Sequence, residues 1–300
     1  GIMCNDELQS RYWSYQGFKE FYKHFLRNHI EKGRALSTVI VSFTMYLGFL
    51  GQSTWTFKIL QILSILICIA LFSILTYKVL GNKRFCIFVG VCNLLFLPVT
   101  FEHTAPNAFS TLYNVPLAIL FLSMILFVRY ISEDRNRDLI ISMILLFIAE
   151  ISYEAFIMYV PLYCLYAIVK KGIKKENIIK NVLIPIGNAV LFLGLYVISA
   201  KLFPSNYTGN QIQITSIKNS IKIIAELFMS TLPGRYLFSS KYIYLTKHYY
   251  TNNWSNIIRV CVLSILVIAV FRKLISTKNL NIKGKAFKSI ILVLLFCVAG

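Results

Sequence analysis

The feature that most constrains this chain is a series of apolar runs, each close to the roughly 20 residues that a helix needs to cross a lipid bilayer. Hydrophobic residues make up 57% of the 300 residues, and the mean hydropathy is +0.66. Runs of helix length predict an all-α fold, a polytopic transmembrane helical bundle. The predicted spans are 59–77, 85–101, 112–131, 139–151, 153–169, 182–203 and 257–271, with a short run at 36–50 and an incomplete run at 287–299.

The apolar run at 139–169 is too long for one crossing and is interrupted by Glu150 and Glu154. A charged side chain at the centre of a membrane helix costs about 3 kcal/mol on insertion scales, so both carboxylates need water or a partner. Two geometries are open: one tilted helix, or a hairpin of two short helices at 139–151 and 153–169. The charges of the neighbouring loops distinguish between them.

Lysine and arginine residues concentrate in four short loops, which the positive-inside rule assigns to the cytoplasmic face. These loops are 78–84, 129–138, 170–180 and 272–288. A single long helix would put the third loop on the outer face, whereas a hairpin leaves every loop where its charge predicts. The sequence therefore predicts the hairpin, with Glu150 and Glu154 near its outer tip. A purely structural pairing of both glutamates with cations inside the bundle stays an alternative.

Charge and cysteine usage exclude several other classes of function. The net charge of +19 would suggest nucleic-acid binding in a soluble protein, but here the basic residues mark topology and nucleic acid is not an expected partner. The seven cysteines fall mostly inside apolar runs and show neither CxxC nor Cys/His ligand spacing. No metal motif or other cofactor is indicated, although a carboxylate cluster with open positions is able to hold a divalent ion.

We interpret the whole chain as one integral membrane domain. Its predicted parts are an outer-face loop at 1–35 that carries an acidic pair, a helical bundle at 36–203, an outer-face loop at 204–256 and further spans at 257–300. Because the chain begins at Gly1 and its last apolar run stops at Gly300, we expect an internal fragment of a longer protein.

The side of the first 34 residues is ambiguous from charge, since they are basic enough to be cytoplasmic. The run at 36–50 is only about three-quarters of a normal span, however, and is predicted to re-enter or to lie along the outer leaflet. This places the first 34 residues outside. An amphipathic segment at 215–232 is also predicted to lie at the outer face.

Polar groups therefore converge on the outer face. A carboxylate there is able to act as a general base on a hydroxyl, and a fixed cation is able to hold a phosphate leaving group. Arg235 follows a Pro-Gly turn that suits a phosphate clamp, whereas His103 is either a phosphate ligand or a solvated loop residue. The predicted outer-face groups include Asp6, Glu7, Glu102, His103, Glu150, Ser152, Tyr153, Glu154 and Arg235.

The order of three short motifs resembles the GT-C superfamily of membrane glycosyltransferases, and most closely the Gtr-type O-antigen glucosyltransferases. The motifs are Asp6-Glu7-Leu-Gln-Ser-Arg11, Gly33-Arg34-Ala-Leu and Tyr153-Glu154-Ala-Phe, and the resemblance covers roughly residues 5–170. Two residues differ from the family pattern: the second acid is Glu where Asp is usual, and Ala rather than Pro follows Gly-Arg. These differences bear on the assignment to the subfamily more than on the assignment to the superfamily.

The resemblance implies transfer of a sugar, with inversion, from a polyprenyl-phosphate donor to a cell-surface glycan or polymer at the outer face of a bacterial cytoplasmic membrane. Asp6 or Glu7 would deprotonate the acceptor hydroxyl, Glu150 and Glu154 would position sugar hydroxyls, and a cation would hold the phosphate. The candidate cations are Arg11, Arg34 and Arg235. A lipid-linked glycan flippase or transporter and a polysaccharide polymerase are the alternatives.

Overall fold

The computed structural model describes residues 5–50, 54–95 and 110–205, and every regular element in them is helical. The chain divides into two compact units, Gly1–Gln211 and Ile212–Gly300, and all of the described residues belong to the first. The helices are α1 (Asn5–Tyr15), α2 (Phe18–Glu31), α3 (Thr38–Phe49), α4 (Thr54–Leu80), α5 (Lys83–Leu95), α6 (Ser110–Glu133), α7 (Asn136–Ser152), α8 (Val160–Lys171) and α9 (Lys175–Leu202).

Three of these helices are long and apolar enough to cross a membrane, namely α4, α6 and α9. They match the predicted spans at 59–77, 112–131 and 182–203 in position, length and composition. The first part of the predicted span at 85–101 is α5. The predicted spans beyond residue 256, the amphipathic segment at 215–232 and nearly all of the outer-face loop at 204–256 lie outside the described residues.

The predicted hairpin at 139–169 is confirmed. Helix α7 ends where Tyr153 adopts an extended conformation (φ −150°, ψ 111°), and a short 3₁₀ helix then leads into α8. At the far end of α8, the Lys171 ammonium contacts the carboxylate of Asp134, which lies just before α7. The two helices therefore run away from one end of the bundle and back to it, and the glutamates lie at the tip.

Buried hydroxyl groups join the hairpin to α6. Ser123 Oγ donates to the Ser142 carbonyl oxygen at 2.7 Å, and Ser142 Oγ donates to the Ser123 carbonyl oxygen at 2.8 Å. Tyr163 on α8 donates its hydroxyl to Ser123 Oγ at 2.8 Å. All three side chains are buried, where an unpaired hydroxyl would be costly. Polar contacts of this kind specify how helices pack when the surroundings are uniformly apolar.

Helix α4 runs parallel to α6. The Cys68 thiol contacts the carbonyl oxygen of Asn114 at 2.9 Å, and the rings of Phe72 and Phe121 pack with their centroids 5.4 Å apart. The later residue of α4 contacts the later residue of α6, so the two helices point in the same direction. The C-terminal ends of α4, α6 and α8 consequently lie at the same end of the bundle, and with them three of the basic loops that the charge pattern assigns to one face.

The described part of the predicted outer-face loop at 1–35 is helical and forms α1 and α2, and the side of the membrane on which it lies stays a prediction. Phe21 and Phe25 lie four residues apart and so share one face of α2, which buries both rings against α3 and α4. Burial of this apolar face stabilises α2.

Helix α3 corresponds to the short apolar run at 36–50. Its start follows Arg34, which contacts the hairpin tip, and at its end Phe49 stacks on Phe57 near the start of α4 with ring centroids 4.5 Å apart. Both ends of α3 lie away from the C-terminal end of α4, where the basic loops are. In the described residues 5–50, the one apolar helix is this short one, Ala35–Phe49, which is shorter than a span, as the length of the run predicts.

We expect Tyr163→Phe to lower the free energy of unfolding by about 1 kcal/mol, since it removes one buried hydrogen bond and little volume. Thermal unfolding of the detergent-solubilised protein measures the change. Tyr77→Phe is the matched control, because Tyr77 is half exposed on α4 and its hydroxyl is not part of the cluster. Equal stability of the two variants would contradict a structural role for the hydroxyl cluster.

We expect single cysteines at Lys83 and Lys174 to be protected from a membrane-impermeant maleimide in intact cells, and one at Lys32 to react. The first two positions lie at the basic end of the bundle and the third lies near the hairpin tip. The seven native cysteines are replaced beforehand, and permeabilised cells show that all three positions react when reagent reaches them. Reaction of all three in intact cells would contradict this topology.

Candidate functional site

A small cleft with a free volume of about 10 Å³, room for about one water molecule, lies at the hairpin tip and is partly open to solvent. The turn between α2 and α3, the end of α7 and one face of α9 form its walls. These elements are distant in sequence, so only the packing of the bundle creates the cleft. Its lining residues are Gly33, Arg34, Leu36, Ser37, Glu150, Ile151, Glu154, Phe192, Tyr196 and Ser199.

The position of Arg34 follows from the way in which α2 ends. Gly33 has a φ of +67°, a conformation that suits glycine, and its N–H donates to the carbonyl oxygen of Ile30 at 2.9 Å. The Arg34 N–H donates to the carbonyl oxygen of His29 at 2.6 Å. These two bonds form a Schellman motif, which satisfies the last carbonyl groups of a helix. The Gly-Arg pair therefore ends α2 and directs the following residues toward the cleft.

Arg34 and Glu154 form the outer part of the site. Arg34 Nη2 lies 2.8 Å from Glu154 Oε1, and the two side chains are 33% and 28% exposed, so solvent reaches both. The guanidinium carbon also lies 5.7 Å from the centre of the Tyr153 ring, within the range of a cation–π interaction. Arg34 Nε, in contrast, is buried and has no hydrogen-bond partner among the described residues.

Glu150 forms the inner part of the site. Its side chain is 0% exposed, and Asn188 on α9 donates from Nδ2 to Glu150 Oε2 at 3.3 Å. Glu150 Oε1 is also buried, and within the described part of the chain no group hydrogen-bonds to it. A buried carboxyl oxygen without a partner is unfavourable for stability and is a frequent mark of a functional site.

His29 supports the turn that carries Arg34. Its Nδ1 lies 3.1 Å from Ser37 Oγ, and Ser37 Oγ donates in turn to the Arg34 carbonyl oxygen at 2.8 Å. With the hydroxyl proton used in this way, the imidazole Nδ1–H donates to Ser37. Burial, followed by the nearby charges of Lys32 and Arg34, lowers the pKa of His29 to about 4. The imidazole is therefore neutral at physiological pH.

The structure brings four of the predicted site residues together: Arg34, Glu150, Tyr153 and Glu154. The alternative of structural pairing applies to Glu154, which has Arg34 as a partner, whereas the described residues give Glu150 no cation. Arg11 instead contacts Tyr15 on its own helix, donating from Nε to the phenol oxygen at 3.2 Å.

The predicted catalytic pair lies in the first turn of α1, and its role stays a prediction. Glu102, His103 and Arg235 lie outside the described residues. No group of three or more His, Cys, Asp or Glu side chains in residues 5–50, 54–95 and 110–205 is close enough to hold a metal ion.

Several residues of the site were not predicted from the sequence, among them Asn188, Tyr196 and Ser199 on α9. They recur at spacings of eight and three residues inside an apolar span, so they share one face of the helix. Polar residues in a membrane helix usually face the bundle interior or a water-filled cavity, and this spacing was the available signal. Tyr113, on α6, had no comparable signal.

No protein-family model, curated protein or solved structure matches this chain. Its function has to be inferred from the residues of the cleft and from the sequence pattern.

We expect His29 to make the protein less stable as the pH falls from 7 to 5. Because its folded-state pKa is below the value of about 6.5 in an unfolded chain, the unfolded state binds more protons between these two values, and stability decreases as the pH falls. The loss at pH 5 is of the order of 1–2 kcal/mol. Thermal unfolding at both pH values measures it, and His29→Gln should remove most of this loss. An equal loss in the variant would contradict the assignment.

Proposed function

We propose that this chain is an integral membrane glycosyltransferase that moves a sugar from a polyprenyl-phosphate donor to a glycan or polymer acceptor at the outer face of the membrane. The observation that carries the proposal is the cleft, in which a cation and two carboxylates meet at the end of the bundle opposite three basic loops. The order of the three short motifs in the sequence supports the same reaction class.

Arg34 is suited to the phosphate of the donor. In an inverting displacement the acceptor oxygen attacks the anomeric carbon, the bond between that carbon and the phosphate oxygen breaks, and the bonding electrons pass to the phosphate. A fixed guanidinium stabilises this developing charge, and its planar donors match phosphate oxygens. Arg34 meets these needs because the Schellman motif fixes its backbone and its side chain is one-third exposed.

The carboxylates are suited to the sugars. Glu154, at the mouth of the cleft, is positioned to accept hydrogen bonds from sugar hydroxyls. Glu150, with Oε1 unpartnered among the described residues, takes the same role deeper in the cleft once the mouth opens to a ligand. Asp6 or Glu7 remains our proposed base for the acceptor proton, on the strength of the sequence pattern.

The test is transfer of a radiolabelled sugar from polyprenyl phosphate in membranes that contain the full chain. We expect Arg34→Gln and the double variant Asp6→Asn with Glu7→Gln each to lower the rate by about 10²- to 10⁴-fold, the usual cost of losing charge stabilisation or a general base. We expect Glu150→Gln to lower it less, because the amide still accepts a hydrogen bond.

Glu20→Gln is the matched control, since Glu20 is a solvent-facing acid on α2 that pairs with Lys23 at 2.7 Å outside the cleft. It should leave transfer unchanged. Full activity of the Asp6→Asn, Glu7→Gln variant would remove the proposed base, and full activity of Arg34→Gln would remove the proposed phosphate contact.

A further inference from the structure

We propose that Arg34, Tyr113 and Tyr196 form a binding subsite for a phosphate group, and that Glu154 competes with the phosphate for Arg34. The inference rests on the proposed function for the nature of the ligand, a phosphate carried on a polyprenyl lipid. It differs from the sequence prediction in two respects. It adds two tyrosines that the sequence did not indicate. It also gives Glu154 the role of pairing with Arg34 when no phosphate is bound.

The first observation is the incomplete use of the Arg34 guanidinium. One terminal nitrogen pairs with Glu154 at 2.8 Å, while Nε has no hydrogen-bond partner among the described residues. Arginine presents its donors as a planar fork that binds two oxygens of a phosphate at once. A carboxylate that uses one nitrogen leaves this capacity unfilled. Because Nε is buried, a phosphate that binds two nitrogens of the fork requires the guanidinium to turn toward the open side of the cleft.

The second observation is the position of the two phenols around the ion pair. Tyr196 on α9 lines the cleft, and Tyr113 on α6 packs edge-on against Tyr153 with ring centroids 5.3 Å apart. The Tyr153 ring itself lies 5.7 Å from the guanidinium carbon of Arg34, so Tyr113 lies behind that ring and Tyr196 lies across the cleft from it. A phenol O–H is a hydrogen-bond donor, so a small movement of either ring adds a neutral donor to a phosphate held by Arg34.

The third observation is access. The ion pair is about one-third exposed, so an anion reaches it from the open side of the cleft. Ion pairs with this much solvent contact contribute little to stability, and a charge-assisted Arg–phosphate contact is stronger. A bound phosphate therefore displaces the Glu154 carboxylate from Arg34. The freed carboxylate is then available to a hydroxyl of the sugar next to that phosphate.

The test is binding of farnesyl phosphate to the purified full chain in detergent, with farnesol as the uncharged control. We expect Glu154→Gln to bind farnesyl phosphate roughly two to five times more tightly than the wild type, because it removes the competitor. Arg34→Gln should bind at least about tenfold more weakly, and Tyr113→Phe and Tyr196→Phe each roughly two to five times more weakly. Farnesol binding should be equal in all variants.

Arg34→Lys keeps the positive charge but lacks the planar set of donors, and it should bind farnesyl phosphate with an affinity between those of the wild type and Arg34→Gln. Thermal unfolding of each variant identifies any that fail to fold, and Arg34→Lys then replaces Arg34→Gln. Unchanged or weaker binding by Glu154→Gln would overturn the competition, and unchanged binding by the Arg34 variants would overturn the subsite. Displacement of farnesyl phosphate by inorganic phosphate supports recognition of phosphate alone, whereas binding that resists it supports a lipid-linked phosphate.

The binding test is separate from sugar transfer. Tighter binding by Glu154→Gln in a protein that transfers no sugar upholds the phosphate subsite and overturns the proposed function. Sugar transfer with no effect of Arg34 or Glu154 on farnesyl phosphate binding overturns the subsite alone.

Discussion

The structure depends on the interruption of the apolar run at 139–169. Two carboxylates in the middle of one long membrane helix would face lipid, which is costly, and the chain instead turns at Tyr153 so that both lie at a tip. The turn makes α7 and α8 antiparallel, and the buried hydroxyls of Ser123, Ser142 and Tyr163 then hold both helices against α6. The site exists because this tip meets two further elements.

Those elements are the end of α2 and one face of α9. The Schellman motif at Gly33 directs Arg34 to the tip, where it pairs with Glu154, and α9 supplies Asn188 to Glu150. The outer pair is accessible to water and the inner carboxyl is not, so the cleft has one part that an ion reaches and one part that it does not. This division is the basis for proposing that an anion binds at Arg34, in the accessible part.

Much of the topology was predictable, because it follows from lengths and charges. Spans α4, α6 and α9 are apolar over a full bilayer width, and the five lysines of the loop at 170–180 distinguish a hairpin from a single helix. The helices α1 and α2 were missed, since the burial of Phe21 and Phe25 that stabilises α2 depends on α3 and α4 as partners. Propensity and charge in this segment do not reveal that contact.

The sequence by itself determined which residues were candidates: a charge within an apolar run is expensive, so Glu150 and Glu154 stood out, and the order of short motifs added the Gly33–Arg34 pair. Only the tertiary structure decided which candidates meet. It paired Arg34 with Glu154, left an oxygen of Glu150 without a partner among the described residues, and brought Tyr113 and Tyr196 to the same place. The physical reason is that contacts between α2, α6, α7 and α9 arise from helix packing over long sequence separations, which no local pattern encodes.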